Sequence, residues 1–138
     1  LLFVDYGFPR SEYYHPQRAG GTLMCHYRHH AHANPFYLPG LQDITAHVDF
    51  SAMADAAFEA GLEVAGYAGQ AGFLIDCGLL DLLATLDSES EDYLRQIGAV
   101  QKLIQPSEMG ELFKVIAFSK AITAPLPGFA RGDRRHRL

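Results

Sequence analysis

The stretch from Gly40 to Phe50, GLQDITAHVDF, organises the rest of this chain. Four polar residues alternate with apolar ones inside it, and we call them the polar ridge: Asp43, Thr45, His47 and Asp49. In an extended segment this alternation predicts that all four side chains lie on one face. The apolar residues between them then point into a core, and these are Ile44, Ala46 and Val48. Two carboxylates, a hydroxyl and an imidazole on one face are a candidate place for chemistry.

The polar ridge also has a purely structural interpretation. Asp49 and Thr45 can serve turns and helix caps, and His47 can be a packed histidine. Residue types alone favour this interpretation over a functional one.

Composition limits the classes of protein that the chain can represent. A length of 138 residues is enough for one domain with a core. The formal net charge of −5 does not favour a nucleic-acid partner. No apolar run approaches the roughly 18 residues that a membrane span needs. Cys25 and Cys77 are far apart and match neither a disulfide framework nor zinc spacing, so we expect reduced thiols.

The start of the chain, LLFVDYG, reads as a buried parallel strand over Leu1–Val4. Asp5 follows this strand at its carboxyl end, where open α/β sheets bind ligands. The segment 6–21 is a long loop rich in Gly, Pro and aromatic residues, which favours a functional role. No Met begins the chain, and a domain seldom starts inside its central strand. We therefore expect the carboxy-terminal part of something larger.

Four histidines lie between His26 and His32 and raise the question of a metal site. Their spacing is i, i+3, i+4, i+6, in a predicted loop and without an acidic residue. We therefore expect solvated or hydrogen-bonded histidines and no bound metal. A metal-dependent hydrolase that uses these histidines is the least favoured of the three function classes that we consider.

The second half of the chain predicts alternating helices and strands. A helix follows the polar ridge, capped by Asp49 or Ser51 and ended by Gly61. Its apolar stripe has helical spacing and contains Phe50, Met53, Ala54, Ala57 and Phe58. The later elements are a strand at Leu62–Ala68, helices at Ala71–Cys77, Leu79–Leu86 and Glu91–Ile104, and a strand at Phe113–Ser119.

Three details of this half are also predictions. Ser88 and Glu91 have capping-box spacing ahead of the helix at Glu91–Ile104. Lys114 is interpreted as a charge on an edge strand. The domain covers residues 1–123, and residues 124–138 form an extended or disordered basic tail. This order of elements predicts an α/β fold whose last strand is antiparallel.

The sequence resembles a known family through several segments. They are Val-Asp-Tyr-Gly at 4–7, Gly-Thr-Leu-Met-Cys-His-Tyr-Arg-His at 21–29, Pro-Gly-Leu-Gln-Asp-Ile-Thr-Ala-His-Val-Asp-Phe at 39–50, Gln70 with Phe73-Leu74, and Met-Gly-Glu-Leu-Phe-Lys-Val at 109–115. Together they are similar to the carboxy-terminal half of the MidA-type S-adenosylmethionine-dependent methyltransferases. The block at 43–50 is specific, while each other segment is weak alone. The tail, Gly-Asp-Arg-Arg-His-Arg-Leu, resembles that of bacterial members.

The resemblance implies the carboxy-terminal part of a Rossmann-like class I methyltransferase sheet. It implies transfer of a methyl group from S-adenosylmethionine to a protein arginine, with a respiratory complex I subunit as one candidate partner. It also implies a cytoplasmic protein, with mitochondrial relatives in eukaryotes. The glycine-rich cofactor loop of the family is absent here, so most of the cofactor site is expected outside this chain. A chain of these residues alone is expected neither to bind the cofactor nor to transfer methyl groups.

Roles for individual residues follow from the resemblance and from polarity. Asp43 and Asp49 are candidates for orienting a guanidinium and accepting its proton, and His47 is a further candidate proton acceptor. The candidate substrate-binding residues are Asp5, Tyr6, Tyr14 and Thr45. The alternative function is a non-catalytic, methyltransferase-like binding module or assembly factor. Oligomeric state is left open by the sequence, with a homodimer as one option.

Overall fold

The computed structural model describes all residues from 1 to 138. Its strands, in chain order, are β1 (Leu2–Phe8), β2 (Met24–Tyr27), β3 (His30–His32), β4 (Asp43–Thr45), β5 (Val48–Asp49), β6 (Glu63–Gly69) and β7 (Phe113–Ser119). Its α-helices are α1 (Arg10–Tyr13), α2 (Phe50–Glu59), α3 (Gln70–Asp76), α4 (Leu79–Ala84) and α5 (Glu91–Ile104). Short helical turns occur at Pro16–Arg18, Pro106–Gly110 and Arg135–Arg137. None of these helices is both long and apolar enough to cross a membrane.

The main sheet has four strands in the order β5-β1-β7-β6. β5 is parallel to β1, whereas β7 is antiparallel to both of its neighbours. The predicted α/β fold with an antiparallel last strand is therefore confirmed. A second, three-stranded antiparallel sheet has the order β3-β2-β4, and we call it the small sheet.

The first strand differs from its prediction in length, pairing and burial. β1 continues to Phe8, so Asp5 lies within the strand, opposite Lys114 of β7, and not at the carboxyl end. The exposed fractions of Leu1 and Val4 are 74% and 50%, so the strand is not buried. Its long pairing is antiparallel to β7, because parallel β5 reaches only Gly7 and Phe8. The opposite edge of β1 is therefore unpaired from residue 2 to residue 6.

Lys114 is buried, contrary to the prediction of an edge charge. β7 lies between β1 and β6, and the Lys114 residue is only 8% exposed. Its ammonium group donates to the carbonyl oxygen of Glu111. Burial lowers the pKa of the Lys114 ammonium, and the carboxylate of Glu111 partly opposes that shift. The sequence window around Lys114 carries no information about the number of neighbouring strands, so the error lies in tertiary placement.

The two faces of the main sheet carry separate apolar clusters. The cluster under α2 consists of Phe50, Ala57, Tyr67, Ile116 and Phe118. The cluster on the other face consists of Ala68, Val115, Ala117 and Phe129.

The basic tail is folded back on the domain. Phe129 is 7% exposed and packs in the second cluster, and Leu138 packs against the first. The guanidinium of Arg134 donates twice to the Glu111 carboxylate, at 2.8 and 2.9 Å. The tail contains no strand, as expected for an extended segment. Because these contacts hold it against the domain, the alternative of a disordered tail is wrong. The predicted boundary between the domain (1–123) and the tail (124–138) stays a prediction.

Helix ends follow the predictions with one correction. Asp49 caps α2, since its Oδ1 accepts a hydrogen bond from Ala52 N at 3.0 Å. Gly61 follows the helix with a φ of +72°, a backbone conformation that favours glycine. The cap of α5 is Ser90, whose Oγ accepts from Tyr93 N at 3.0 Å, and not Ser88. Glu91 is already the first residue of that helix, so it lies too early for the predicted capping box.

Candidate functional site

The polar ridge is divided between the two sheets. β4 carries Asp43 and Thr45 in the small sheet, whereas β5 carries Asp49 in the main sheet. Because the chain changes sheet at Ala46 and His47, strict alternation does not continue across the break. The prediction of one continuous face is therefore wrong. Of the three residues expected in the core, only Val48 packs against it, while Ile44 is 53% exposed and Ala46 is exposed.

The histidine-rich segment forms a hairpin of the small sheet and is not a loop. β2 and β3 pair in antiparallel register, with Tyr27 opposite His30. Arg28 and His29 form the turn with φ of 47° and 66°. The structure brings no three His, Cys, Asp or Glu side chains into an arrangement that could hold a metal ion.

A cavity of about 510 Å³ lies between the carboxyl end of β1 and the small sheet. We call it the β1 cavity. Its walls include Tyr6, Arg18, Met24, His26, Thr45, His47 and Phe113. The carboxyl end of a strand is the usual ligand position in open α/β sheets, which makes this cavity the candidate site. It is also the largest of the cavities.

His47 is packed between aromatic rings in the wall of the β1 cavity. Its ring centroid lies 5.0 Å from that of Phe8 and 5.4 Å from that of Tyr6. Its backbone N–H donates to Thr22 Oγ1 at 3.1 Å. Its Nδ1 atom is buried without a hydrogen-bond partner. Burial lowers the pKa of the His47 imidazole, and the nearby Arg18 guanidinium lowers it further.

We expect His47 to make the unfolding free energy depend on pH. In the unfolded chain its pKa returns to about 6.5, above its lowered folded value. Between these two values the unfolded state binds more protons, so the protein loses stability as pH falls through this window. Urea titrations from pH 7.5 to 5 should show this loss, and His47→Gln should reduce it.

The exposed His136 provides the control for that measurement. His136→Gln should leave the pH profile of the wild type unchanged. If the His47→Gln variant lost as much stability between pH 7.5 and 5 as the wild type, burial of the His47 imidazole would not be the cause of that loss.

Thr45 and Asp43 belong to the face of the small sheet that borders the cavity. Thr45 lines the cavity, and its Oγ1 donates to the Met24 carbonyl at 3.1 Å. Asp43 is directly opposite His26 in the antiparallel register, so the two side chains share a face. His26 lines the cavity, while Asp43 is exposed and is not part of the wall. Asp43 thus lies beside the cavity on the same surface.

The other predicted site residues lie outside the cavity wall. Asp49 caps α2 and lies 3.9 Å from the Nε atom of Arg10. Asp5 is exposed, and its Oδ1 accepts from Tyr6 N at 2.8 Å. Tyr14 is 70% exposed and contacts the Tyr13 ring. The structure therefore brings together Tyr6, Thr45 and His47, and their functional roles stay predictions.

Sequence reasoning did not single out Arg18 or Phe113 as site residues. Both line the cavity beside His47. No local pattern distinguished Arg18 from Arg10, the other arginine of the aromatic loop 6–21. No local pattern identified Phe113, which joins the wall because antiparallel pairing places it opposite Tyr6.

Comparisons with known proteins identify relatives of this chain. Residues 1–68 match a family described as “Putative S-adenosyl-L-methionine-dependent methyltransferase”. One relative is an uncharacterized protein from Burkholderia thailandensis, whose native crystal structure superposes on this chain with a TM-score of 0.96 at 60% sequence identity. The match covers 99% of this chain and 37% of the relative. A second crystal structure, of a “likely methyl transferase” from the same organism bound to S-adenosyl-homocysteine, is 60% identical with a TM-score of 0.95, covering 99% and 36%. A comparison with curated proteins finds no match. The chain therefore spans little more than a third of the length of these two solved relatives.

Proposed function

We propose that this chain is part of an S-adenosylmethionine-dependent methyltransferase, of the family whose pattern its first 68 residues match. The observation that carries the proposal is the likeness to the relative bound to S-adenosyl-homocysteine. That likeness covers 99% of this chain at 60% identity. The β1 cavity lies where an α/β sheet of this kind presents its ligands.

We further propose that most of the cofactor site belongs to the part of the relatives that this chain does not cover. The chain contains no glycine-rich loop of the type Gly-x-Gly-x-x-Gly, so its residues do not fit a complete site for S-adenosylmethionine. The unpaired edge of β1 supports this division, because its apolar residues Leu2 and Phe3 are 55% and 43% exposed. Residues 1–138 then supply the acceptor side of the enzyme.

For the acceptor we propose the guanidinium of a protein arginine, as the family resemblance implies. A carboxylate can hold the planar fork of a guanidinium through two hydrogen bonds and can take up its proton. Asp43 is the residue for this role, because it is exposed and shares the sheet face of His26 beside the cavity. Asp49 is engaged by its helix cap and by Arg10, so we now assign it a structural role.

The remaining roles follow from the cavity wall. Methyl transfer requires that the acceptor nitrogen be held in line with the methyl group at contact distance. Tyr6 and Phe113 form an aromatic corner, with ring centroids 5.6 Å apart, which can fix the acceptor side chain. We assign His47 as a further proton acceptor, because its lowered pKa leaves the imidazole neutral at pH 7. Thr45 directs its hydroxyl to a backbone carbonyl and shapes the wall.

Calorimetry with S-adenosyl-homocysteine tests the proposal on the full-length protein that contains residues 1–138, because these residues alone are not expected to bind the cofactor. We expect saturable binding with one site per full-length chain, together with methylation of arginine in a protein extract supplied with S-adenosylmethionine. Absence of both would favour the alternative, a methyltransferase-like binding module that acts as an assembly factor.

Asp43→Asn should lower the methylation rate by about 100-fold, the typical contribution of one acid–base group. The melting temperature should change little, because Asp43 is exposed and no ion pair or side-chain hydrogen bond engages it. Asp81→Asn is a matched control, since Asp81 is exposed on α4 away from the cavity. A parallel loss of folding and activity in Asp43→Asn would assign Asp43 a structural role instead.

A further inference from the structure

The arginines of this chain differ in whether a carboxylate neutralises them. Six of them form ion pairs with Asp or Glu: Arg10, Arg95, Arg131, Arg134, Arg135 and Arg137. Only Arg18 and Arg28 form none. Arg28 is exposed on the turn of the small sheet, where water solvates its charge. Arg18 is partly buried and lines the β1 cavity.

The surroundings of Arg18 hold its guanidinium in place without neutralising it. The guanidinium carbon lies 3.9 Å above the centre of the Phe8 ring. One Nη atom donates to the backbone carbonyl of Glu12. The Glu12 carboxylate is engaged elsewhere, at 2.5 Å from Arg137. The hydrogen bond to Glu12 and the contact with the Phe8 ring thus fix the plane of the guanidinium. Its other N–H groups have no hydrogen-bond partner in the chain.

The cavity wall contains no carboxylate that could serve this cation. Its residues are apolar or neutral apart from Arg18 and the two histidines, His26 and His47. A partly desolvated guanidinium without a counter-ion is energetically unfavourable, and a ligand anion offsets that cost. Arginine binds carboxylates with paired, charge-assisted hydrogen bonds.

We infer that Arg18 is a specificity-determining residue that binds a carboxylate of the ligand in the β1 cavity. The inference deepens the proposed function, because it gives the chemistry that the acceptor-side site recognises. The ligand combines an apolar body, which packs against Leu23, Met24 and Phe113, with an anionic group at Arg18. Two sources can supply that carboxylate, an acidic side chain close to the methylated residue of a protein acceptor or the amino-acid part of the cofactor.

The test compares an apolar acid with its neutral counterpart. Chemical shifts of Tyr6, His47 and Phe113 in the native protein are followed by NMR during titration with 3-phenylpropionate or 3-phenylpropionamide. The acid should bind the wild type about tenfold more tightly than it binds Arg18→Gln, which corresponds to one charge-assisted interaction. The amide should bind both proteins equally. Arg28→Gln, which also loses an arginine without a carboxylate partner, should retain the full preference for the acid.

The variant Arg18→Lys covers the case in which Arg18→Gln does not fold. It keeps the charge but loses the planar fork, so it should retain part of the preference for the acid. Equal binding of acid and amide to the wild type, or equal binding of the acid to wild type and Arg18→Gln, would overturn the inference.

Binding of S-adenosyl-homocysteine distinguishes the two sources. A tenfold loss in Arg18→Gln identifies the cofactor as the source of the carboxylate, and unchanged binding identifies the acceptor. If the wild type binds no S-adenosyl-homocysteine and still prefers the acid, the proposed function fails while the role of Arg18 stands.

Discussion

Replacing Phe50 with Ala should lower the free energy of unfolding by about 3–5 kcal/mol, the usual cost of removing a buried aromatic ring. Phe50 is fully buried, and its ring centroid lies 5.4 Å from that of Tyr67 in the cluster under α2. Removing it leaves a cavity between helix and sheet that the chain cannot fill without moving α2. Urea unfolding followed by circular dichroism measures the change.

Phe58 offers a control on the same helix. It is 81% exposed, so Phe58→Ala should change the unfolding free energy by less than about 0.5 kcal/mol. Both residues belong to the apolar stripe that the sequence predicts for this helix. Similar losses for the two variants would contradict the placement of α2 on the sheet.

Gly7→Ala should destabilise the protein by about 3 kcal/mol, at the upper end of the range for an inserted group that forces backbone to move. Gly7 pairs with Val48 across β1 and β5. A Cβ atom at position 7 would lie 2.1 Å from the backbone oxygen of Val48, and backbone cannot yield as a flexible side chain does. We therefore expect β5 to separate from β1 and the neighbouring His47 to leave its place beside Phe8.

Gly20→Ala is the matched control for Gly7→Ala, since nothing lies within 4 Å of a Cβ atom at position 20. Its unfolding free energy should stay within about 0.5 kcal/mol of the wild type. The two variants can also be compared by the chemical shifts of His47. Gly7→Ala with native stability and unchanged His47 shifts would rule out the close approach of β1 and β5.

Local elements could be predicted because their signals are local. The structure contains three features that were predicted from residues only a few positions apart. They are the end of α2 at Gly61, the helix cap at Asp49 and the strand Phe113–Ser119. The interpretation of Lys114 failed for the opposite reason. Whether a strand lies at an edge depends on partners more than 40 residues away, such as β6 and β1.

The candidate site was only partly predictable for the same reason. Sequence alternation selected His47 and Thr45, and both line the β1 cavity. It also selected Asp49, which the structure uses as a helix cap. Arg18 carried no local signal, because its importance comes from lacking a carboxylate where the other partly buried arginine, Arg134, has one.

The sequence by itself determined the α/β class, the approximate bounds of the elements from α2 to β7 and the likeness to methyltransferases. Apolar periodicity, glycine and capping residues act over a few positions and are therefore readable in one dimension. Tertiary structure alone decided that the segment from Gly40 to Phe50 is shared between two sheets. It also decided that Asp43 lies beside the cavity while Asp49 does not, because burial and charge pairing depend on segments that meet only in the folded chain.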